Sequence, residues 1–491
     1  MGTANPPTII NPVLTSHSVS SSLLELIFDS LVRLDGRGRI QPGLAEKWEV
    51  SADELEYTFY LRKNIKFHDG TELTSKDVKF TYDLILDPKN KSHWRSDLDV
   101  VKEVSIIDDF TVRFILKKPF SHFLHKAVRE IVPKHIWEGQ NLSNARFNYE
   151  PVGTGPFKFK EWNKENNTII LTANKNYFED RPYLDQIQIK VYPDISRLWS
   201  AFMRREIHVA KFIHPRDFKL LEEDLVFKTY EVSWGMYYAL VYDLDDPVFY
   251  DKDIRWALSY AINVKELIKN NSYGGGLPAA GPFHPDSDGY NSTIKPVPYE
   301  PQKALDILNT KGWYLNEEGI LEKNGRLFTI KLLVNSRIEE RERIATMIRQ
   351  QFSQVGIQTT LVLYEPEKFP VTHGKDMPQV WLRFFRGIDE LDGYDAIKSW
   401  YSSSTEPGKV WHYRNNRVDQ LFEEVKSENN AEKRTLIYQE LHKLIYDDQP
   451  ATFLFFPISL HAVSADFENT DEYFSPHMPT YTIKDWYTSM N

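Results

Sequence analysis

The chain has no cysteine. That removes thiolate nucleophiles, Cys-ligated metal centres and disulfides together, and it suits a protein working outside the reducing cytosol. Long apolar runs are missing too. Nothing approaches the ~18 uninterrupted apolar residues of a membrane-spanning helix. The most apolar stretch, Ala451-Thr-Phe-Leu-Phe-Phe456, is strand-sized and is expected to end at Pro457. Nor is there a basic excess: 60 Lys and Arg stand against 70 Asp and Glu, for a formal charge of −10. Nucleic-acid binders normally present a basic face, so no nucleic-acid partner is expected.

Enzyme signatures are also missing. There is no G-x-S-x-G elbow, no H-E-x-x-H and no G-x-x-x-x-G-K-[ST]. One S-x-x-K, Ser292 to Lys295, lies in a Pro-rich loop without its usual companions. Gly274-Gly-Gly276 has no strand before it and no Lys-Ser/Thr after it, so it is a loop rather than a phosphate cradle. The 14 histidines are scattered, His68, His122 and His125 among them, and none sits in a ligand-spaced cluster. No catalytic set, metal centre or cofactor is expected. The first residues, Met1-Gly-Thr-Ala-Asn-Pro-Pro7, lack a charged n-region and an apolar h-region. Either the protein is cytoplasmic or a signal peptide has been removed.

What is present is a chain of 491 residues, enough for about three units at roughly 150 residues each. The first quarter carries strand patterns of period two, at 56–62 and 110–116, with a short helix at 23–28 behind a Ser run that can cap it. More strands are expected between 168 and 190. The second half changes character. A helix is expected over 254–269, with Ala257, Leu258, Ala261 and Ile262 on one face. A strand at 328–334 leads to a helix whose face is Ile344, Met347, Ile348, Phe352 and Val355, stopped at Gly356. A strand at 359–364 follows. This is a βαβ unit, implying two parallel strands joined by a right-handed crossover. A strand at 379–385 and helices at 418–426 and 432–446 come next. The Pro/Gly-rich stretch 273–301 is long for a loop in a compact domain, and such loops are functional or mobile.

Ligands of open α/β sheets lie beyond the carboxyl ends of parallel strands. One such end leads into Arg337, Arg341 and Arg343 at the start of a helix, where they can hold an anion or simply pair along the first turn, as Glu339 and Arg343 can. The next runs Phe385-Arg-Gly-Ile-Asp389, with Asp392 and Asp395 beyond. Three carboxylates there can receive a cation or an amine, or serve as turn formers.

Several segments resemble one family. Leu44-Ala-Glu-Lys-Trp-Glu-Val-Ser-Ala-Asp53, Tyr57-Thr-Phe-Tyr-Leu-Arg-Lys-Asn-Ile-Lys-Phe-His-Asp-Gly70 and Leu73-Thr-Ser-Lys-Asp-Val78 are similar to the signature of the family 5 bacterial extracellular solute-binding proteins. These are dipeptide- and oligopeptide-binding receptors of ATP-binding-cassette importers. Gly153-Thr-Gly-Pro-Phe157, Ile254-Arg-Trp-Ala-Leu-Ser-Tyr-Ala-Ile262, Gly312-Trp313 and Pro278-Ala-Ala-Gly-Pro282 extend the resemblance in order, from about residue 25 to 460.

The resemblance implies an α/β, two-lobed, type II periplasmic-binding-protein-like fold of the large form, with an extra β-rich subdomain and a ligand cleft between lobes. It divides the chain into a first lobe (1–35, 155–242, 460–491), an inserted subdomain (36–154) and a second lobe (243–459). It implies a non-enzymatic, monomeric receptor whose signal peptide has been removed. The protein would work at the periplasmic or extracellular face and hand its ligand to membrane permease subunits of the importer. A peptide is the leading ligand; an oligosaccharide, a nickel chelate or an opine is the alternative, and a hydrolase the rival from another class.

Peptide-binding members take the ligand's amino group on an Asp in a W-x-x-D segment. Aligned back from Trp400, that position is Asp389, within Arg386-Gly-Ile-Asp389; the Trp is replaced by Arg386 and the Pro that usually follows is Gly393. The ligand carboxylate would fall to Arg343 or its neighbour Arg341. Asp392 and His412 complete the polar candidates, and Trp400, Trp411 and Tyr413, with Trp381, are candidate stacking faces.

Overall fold

In a computed structural model, residues 1–4, 6–15, 18–233, 235–270, 275–365, 378–385, 393–403 and 411–488 are described. The chain divides into two compact units. The first comprises Met1–Ile213, Asp217–Val232 and His461–Asn491; the second comprises His214–Arg216 and Ser233–Leu460.

Two four-stranded sheets organise the first unit. In one, Ala45–Val50, Glu56–Leu61, Thr111–Leu116 and Val101–Asp108 lie side by side in that order, all antiparallel. The period-two pattern does what it predicts: Tyr57, Phe59 and Leu61 alternate inward against Val112, Phe114 and Leu116. Helix Ser75–Leu86 covers that face, with the Tyr82 ring edge-on to Phe114 at 4.6 Å. The helix begins at a capping box: Thr74 accepts from the Lys76 N–H while the Asp77 carboxylate takes the Thr74 N–H at 2.9 Å. The other sheet runs Gly2–Thr3, Gln186–Val191, Thr168–Ala173, Phe157–Asn163.

Gly153-Thr154-Gly155 is where the helix Ser18–Ile27 meets the rest of this unit. A Cβ on Gly153 would collide with the carbonyl oxygen of Ile27, and one on Gly155 would run into the Leu26 and Ile27 backbone. Only glycine allows the approach. Between them, Thr154 donates to the buried Asp29 carboxylate at 2.7 Å, which also receives the Tyr177 hydroxyl at 2.8 Å. Even so, burial pushes the Asp29 pKa up to about 6. His68 closes the corner: its Nδ1 accepts the Gly153 N–H at 3.3 Å and its Nε2 donates to the Gly155 carbonyl at 3.0 Å.

The second unit is built on one sheet. Strand Tyr237–Tyr242 lies between Ala451–Ser464 and Val380–Phe385, antiparallel to both. Beyond Val380–Phe385 come Thr329–Asn335 and Gln358–Tyr364, and these three run parallel. The βαβ unit is as expected: Thr329–Asn335, helix Glu339–Gln354, Gln358–Tyr364, with Gly356 at φ +75° ending the helix. Leu332, Val334, Ile344, Ile348 and Phe352 share one core with Ala257, Leu258 and Ile262.

Two expectations are corrected. The helix expected over 254–269 is two, Lys252–Tyr260 and Val264–Lys269, because Asn263 leaves helical geometry and caps the second with its side chain on the Glu266 N–H. The strand expected to stop at Pro457 continues as Ala451–Ser464. Its pairing with Tyr237–Tyr242 has its last registered pair at Tyr238 and Phe455, so the missing N–H of Pro457 removes no bond from that ladder.

Candidate functional site

The parallel strands of the second unit end at Asn335, Tyr364 and Phe385, with Asn335 registered on Tyr364. Tyr237 pairs with Phe385, so the same end is where Tyr237–Tyr242 begins. The chain enters this unit at Ser233 and leaves it after Leu460. Entry and strand ends therefore share one edge, the place where an open α/β sheet binds ligands.

Polar groups there are held by short-range bonds. The Asn335 side chain accepts the Arg337 N–H at 3.0 Å, and Ser336 gives both its N–H (2.9 Å) and its hydroxyl (3.0 Å) to the Tyr364 carbonyl. Together they fix the turn that opens helix Glu339–Gln354. The two candidate arginines of its first turns differ. Arg343 is spent locally, 3.0 Å from Glu339 and 3.5 Å from Glu340. Arg341 makes no ion pair among the described residues. Its guanidinium lies 5.7 Å from the centre of the Phe384 ring, and its Nε is buried without a hydrogen-bond partner. Arg341 thus carries a charge held over the last strand residues with no ion-pair partner among the described residues. Arg386, Asp389 and Asp392 lie outside the described residues.

The aromatic candidates form a layer on the other face of the sheet. Trp400 and Trp411 are fully buried, 6.1 Å apart, and Tyr413 is buried beside them. Trp400 donates its indole N–H to Tyr237 at 3.2 Å and packs at a tilt against Phe385 and Phe453. Tyr413 donates to Asp448 at 2.8 Å, and that carboxylate helps push its phenol pKa far up, after burial. None of these rings presents a face to solvent. Arg383 sits 6.0 Å from the Phe385 ring and 5.6 Å from the Trp411 ring.

Two constellations escaped sequence reasoning. Ser233 Oγ lies 2.7 Å from His284 Nε2, a serine–histidine pair 51 residues apart. The hydrolase rival needs such a pair, but this one faces the wrong way. His284 Nδ1 accepts the backbone N–H of Asp286 at 3.2 Å, so the ring proton resides on Nε2 and is donated to Ser233. The Asp286 carboxylate, 3.7 Å off and largely exposed, does not hold the opposite tautomer. Burial lowers the His284 pKa, which keeps the ring neutral. The pair ties the entry segment to the Pro/Gly-rich loop. Similarly, Lys295 donates to the carbonyl of Ser292 and not to its hydroxyl.

The other is Asp243, Asp245 and His412, whose ligand atoms all lie within 4.8 Å of one another. Such a set can hold a metal ion. Here His412 Nδ1 bonds Asp243 at 2.8 Å, and Arg414 pairs with Asp245 at 3.2 Å. Asp243 follows the carboxyl end of Tyr237–Tyr242, at the opposite end of the sheet from Phe385.

Comparison with known proteins resolves the family. The model of the bacterial extracellular solute-binding proteins, family 5, middle, matches residues 39–408. The chain belongs to this family. Among relatives, the oligopeptide-binding protein AppA of Bacillus subtilis is 31% identical over 510 residues, covering 99% of this chain and 91% of that protein. The structure of that protein with a nonapeptide superposes with a TM-score of 0.78 at 28% identity, covering 99% and 98% of the two chains. NikZ of Campylobacter jejuni, in complex with Ni(L-His), gives 0.79 at 25%, covering 99% and 98%. This solute-binding protein has the type II periplasmic-binding-protein fold. Its relatives include dipeptide-, heme- and glutathione-binding proteins besides the oligopeptide-binding one, and its structural neighbours include a protein in complex with agropinic acid. Among the described residues no helix is long and apolar enough to cross a membrane.

Proposed function

We propose that this solute-binding protein captures peptides outside the cytoplasm and delivers them to the permease of an ABC importer without chemically altering them. The observation that carries the peptide reading is the likeness to the oligopeptide-binding AppA along 99% of the chain. The buried state of Trp400 and Trp411 supports it over an oligosaccharide, which needs exposed ring faces. A zwitterionic ligand in a dry site needs both charges paired, because an unpaired buried charge is very costly. In this reading Asp389 takes the amino group. The carboxylate goes to Arg341, whose charge has no ion-pair partner among the described residues, rather than to Arg343. The reversed tautomer at Ser233 and His284 leaves the ligand intact.

The test is mass spectrometry of whatever the purified protein releases on denaturation, followed by calorimetric titration of that compound. Peptides should be released. Asp389→Asn should weaken their binding by roughly 30-fold or more, as loss of one partner of a buried charge pair does. Release of a sugar or metal chelate, or binding within about threefold of the parent by Asp389→Asn, rejects the assignment.

A further inference from the structure

In the first unit, the short strand Val209–Ala210 pairs antiparallel with Ala451–Ser464, Val209 on Val463 and Ala210 on Ala462. The next position on each strand is therefore Lys211 opposite His461. Residues facing each other across a ladder share a face of the sheet. Both stand at the boundary of the unit, which breaks after Ile213 and resumes at His461.

Three observations converge there. His461 has no exposed surface, and both of its ring nitrogens are buried without a hydrogen-bond partner. Buried polar atoms are nearly always paired, so an imidazole with neither nitrogen satisfied calls for an explanation. Lys211, half-buried, makes no ion pair or hydrogen bond among the described residues. Its ammonium is steadied 4.7 Å over the ring of Tyr473, whose own buried hydroxyl is unpartnered. The acid that feels its charge, Glu25, has Oε2 committed to the Thr480 N–H at 2.6 Å. Finally, Phe212 has φ +57°, the left-handed region that bulky side chains avoid. Its largely exposed ring packs 5.3 Å from the imidazole, with Phe474 at 5.8 Å from it. A strained, exposed aromatic thus lies against a buried histidine that has donor and acceptor capacity to spare, with an ammonium across the strand that makes no ion pair among the described residues.

We propose that Lys211 and His461 form a subsite of the first unit that binds a carboxylate, with Phe212 as its movable cover. Resting on the peptide reading, the inference is that peptides with an acidic side chain are preferred over their amide counterparts. The lysine supplies the charge and the imidazole one N–H. A carboxylate fits the two donors because its oxygens accept several hydrogen bonds at once. A neutral amide oxygen can accept from both donors but leaves the lysine's charge unmet. Strain at Phe212 keeps the cost of its displacement low, since its present backbone is not the favoured one.

The experiment is calorimetric titration of the whole protein with matched alanine-based peptides of increasing length, each with Glu or Gln at one position. The parent should favour the best Glu peptide over its Gln counterpart by about tenfold or more. Lys211→Met should abolish that preference while leaving the Gln peptide within about threefold. Lys211→Arg should keep the preference. Thermal unfolding of each variant should match the parent, since Lys211 is only half-buried. Peptides that bind with no Glu preference in the parent, or a preference that survives Lys211→Met, overturn the subsite alone. Failure of every peptide to bind overturns the peptide reading and the subsite with it.

Discussion

Arg341 and Arg343 are two positions apart in one helix, and only their neighbours distinguish them. Arg343 already answers Glu339 and Glu340; Arg341 rests on Phe384. Arg341→Met should therefore weaken peptide binding by about 30-fold or more, the loss of one partner of a desolvated pair. Arg343→Met should cost less than about threefold, as exposed helix pairs are worth little. Equal losses in calorimetry would reject the distinction. At His442 and His461, burial lowers the imidazole pKa to about 4 and about 3. A folded pKa below the unfolded value of about 6.5 means that the unfolded chain takes up protons first as pH falls. Stability is complete above pH 6.5 and is lost downward, each ring contributing up to about 1.4 kcal/mol per pH unit until its folded pKa is reached. Denaturant melts between pH 6.5 and 4.5 should show this limb, and a His442→Gln/His461→Gln double variant should flatten it. Glu25 works in the opposite sense: burial raises its pKa to about 7, so its contribution is present below about pH 4.5 and lost as pH rises through 7. The Asp243, Asp245 and His412 set carries its own counter-charge in Arg414. Chelator should shift the melting temperature by less than about 1 °C, and a larger fall would mark a bound structural metal.

At the scale of elements, the parts legible in the sequence were those coded by local period. Tyr57, Phe59 and Leu61 announce their strand by alternation, and Ile344, Ile348 and Phe352 announce their helix by spacing. What stayed hidden depends on partners far along the chain. Asn263 breaks a helix that periodicity continues. Pro457 is tolerated inside a strand because its ladder with Tyr237–Tyr242 stops short of it, while on the other side it stays in register with Gly276. The Ser233–His284 bond and the Asp243–His412 bond join residues 51 and 169 positions apart. Gly153-Thr154-Gly155 shows the reverse case, a local motif whose reason is tertiary. Gly153→Ala should destabilise the first unit by about 3 kcal/mol or more, since backbone and not a yielding side chain stands in the way. Chemical denaturation followed by near-UV circular dichroism measures it; a cost below about 1 kcal/mol would mean that the Ile27 turn gives way freely.

For the whole molecule, the two-lobed reading makes closure the expected response to ligand. Added peptide should reduce the radius of gyration in solution scattering and raise the melting temperature, because it binds the native state alone. A confirmed ligand that leaves the scattering profile unchanged would rule out closure as the response. The division of the chain has a further consequence. The second unit is almost entirely one uninterrupted stretch, Ser233–Leu460, whereas the first needs His461–Asn491 to return to it. Val209 and Ala210 find their strand partners only at Val463 and Ala462, and Glu25 finds its donor only at Thr480. As the polypeptide emerges from a ribosome, the whole stretch Ser233–Leu460 must appear before the first unit can close. The Met1–Ile213 part of the first unit is made early and matures late, staying incompletely folded until His461–Asn491 has been made.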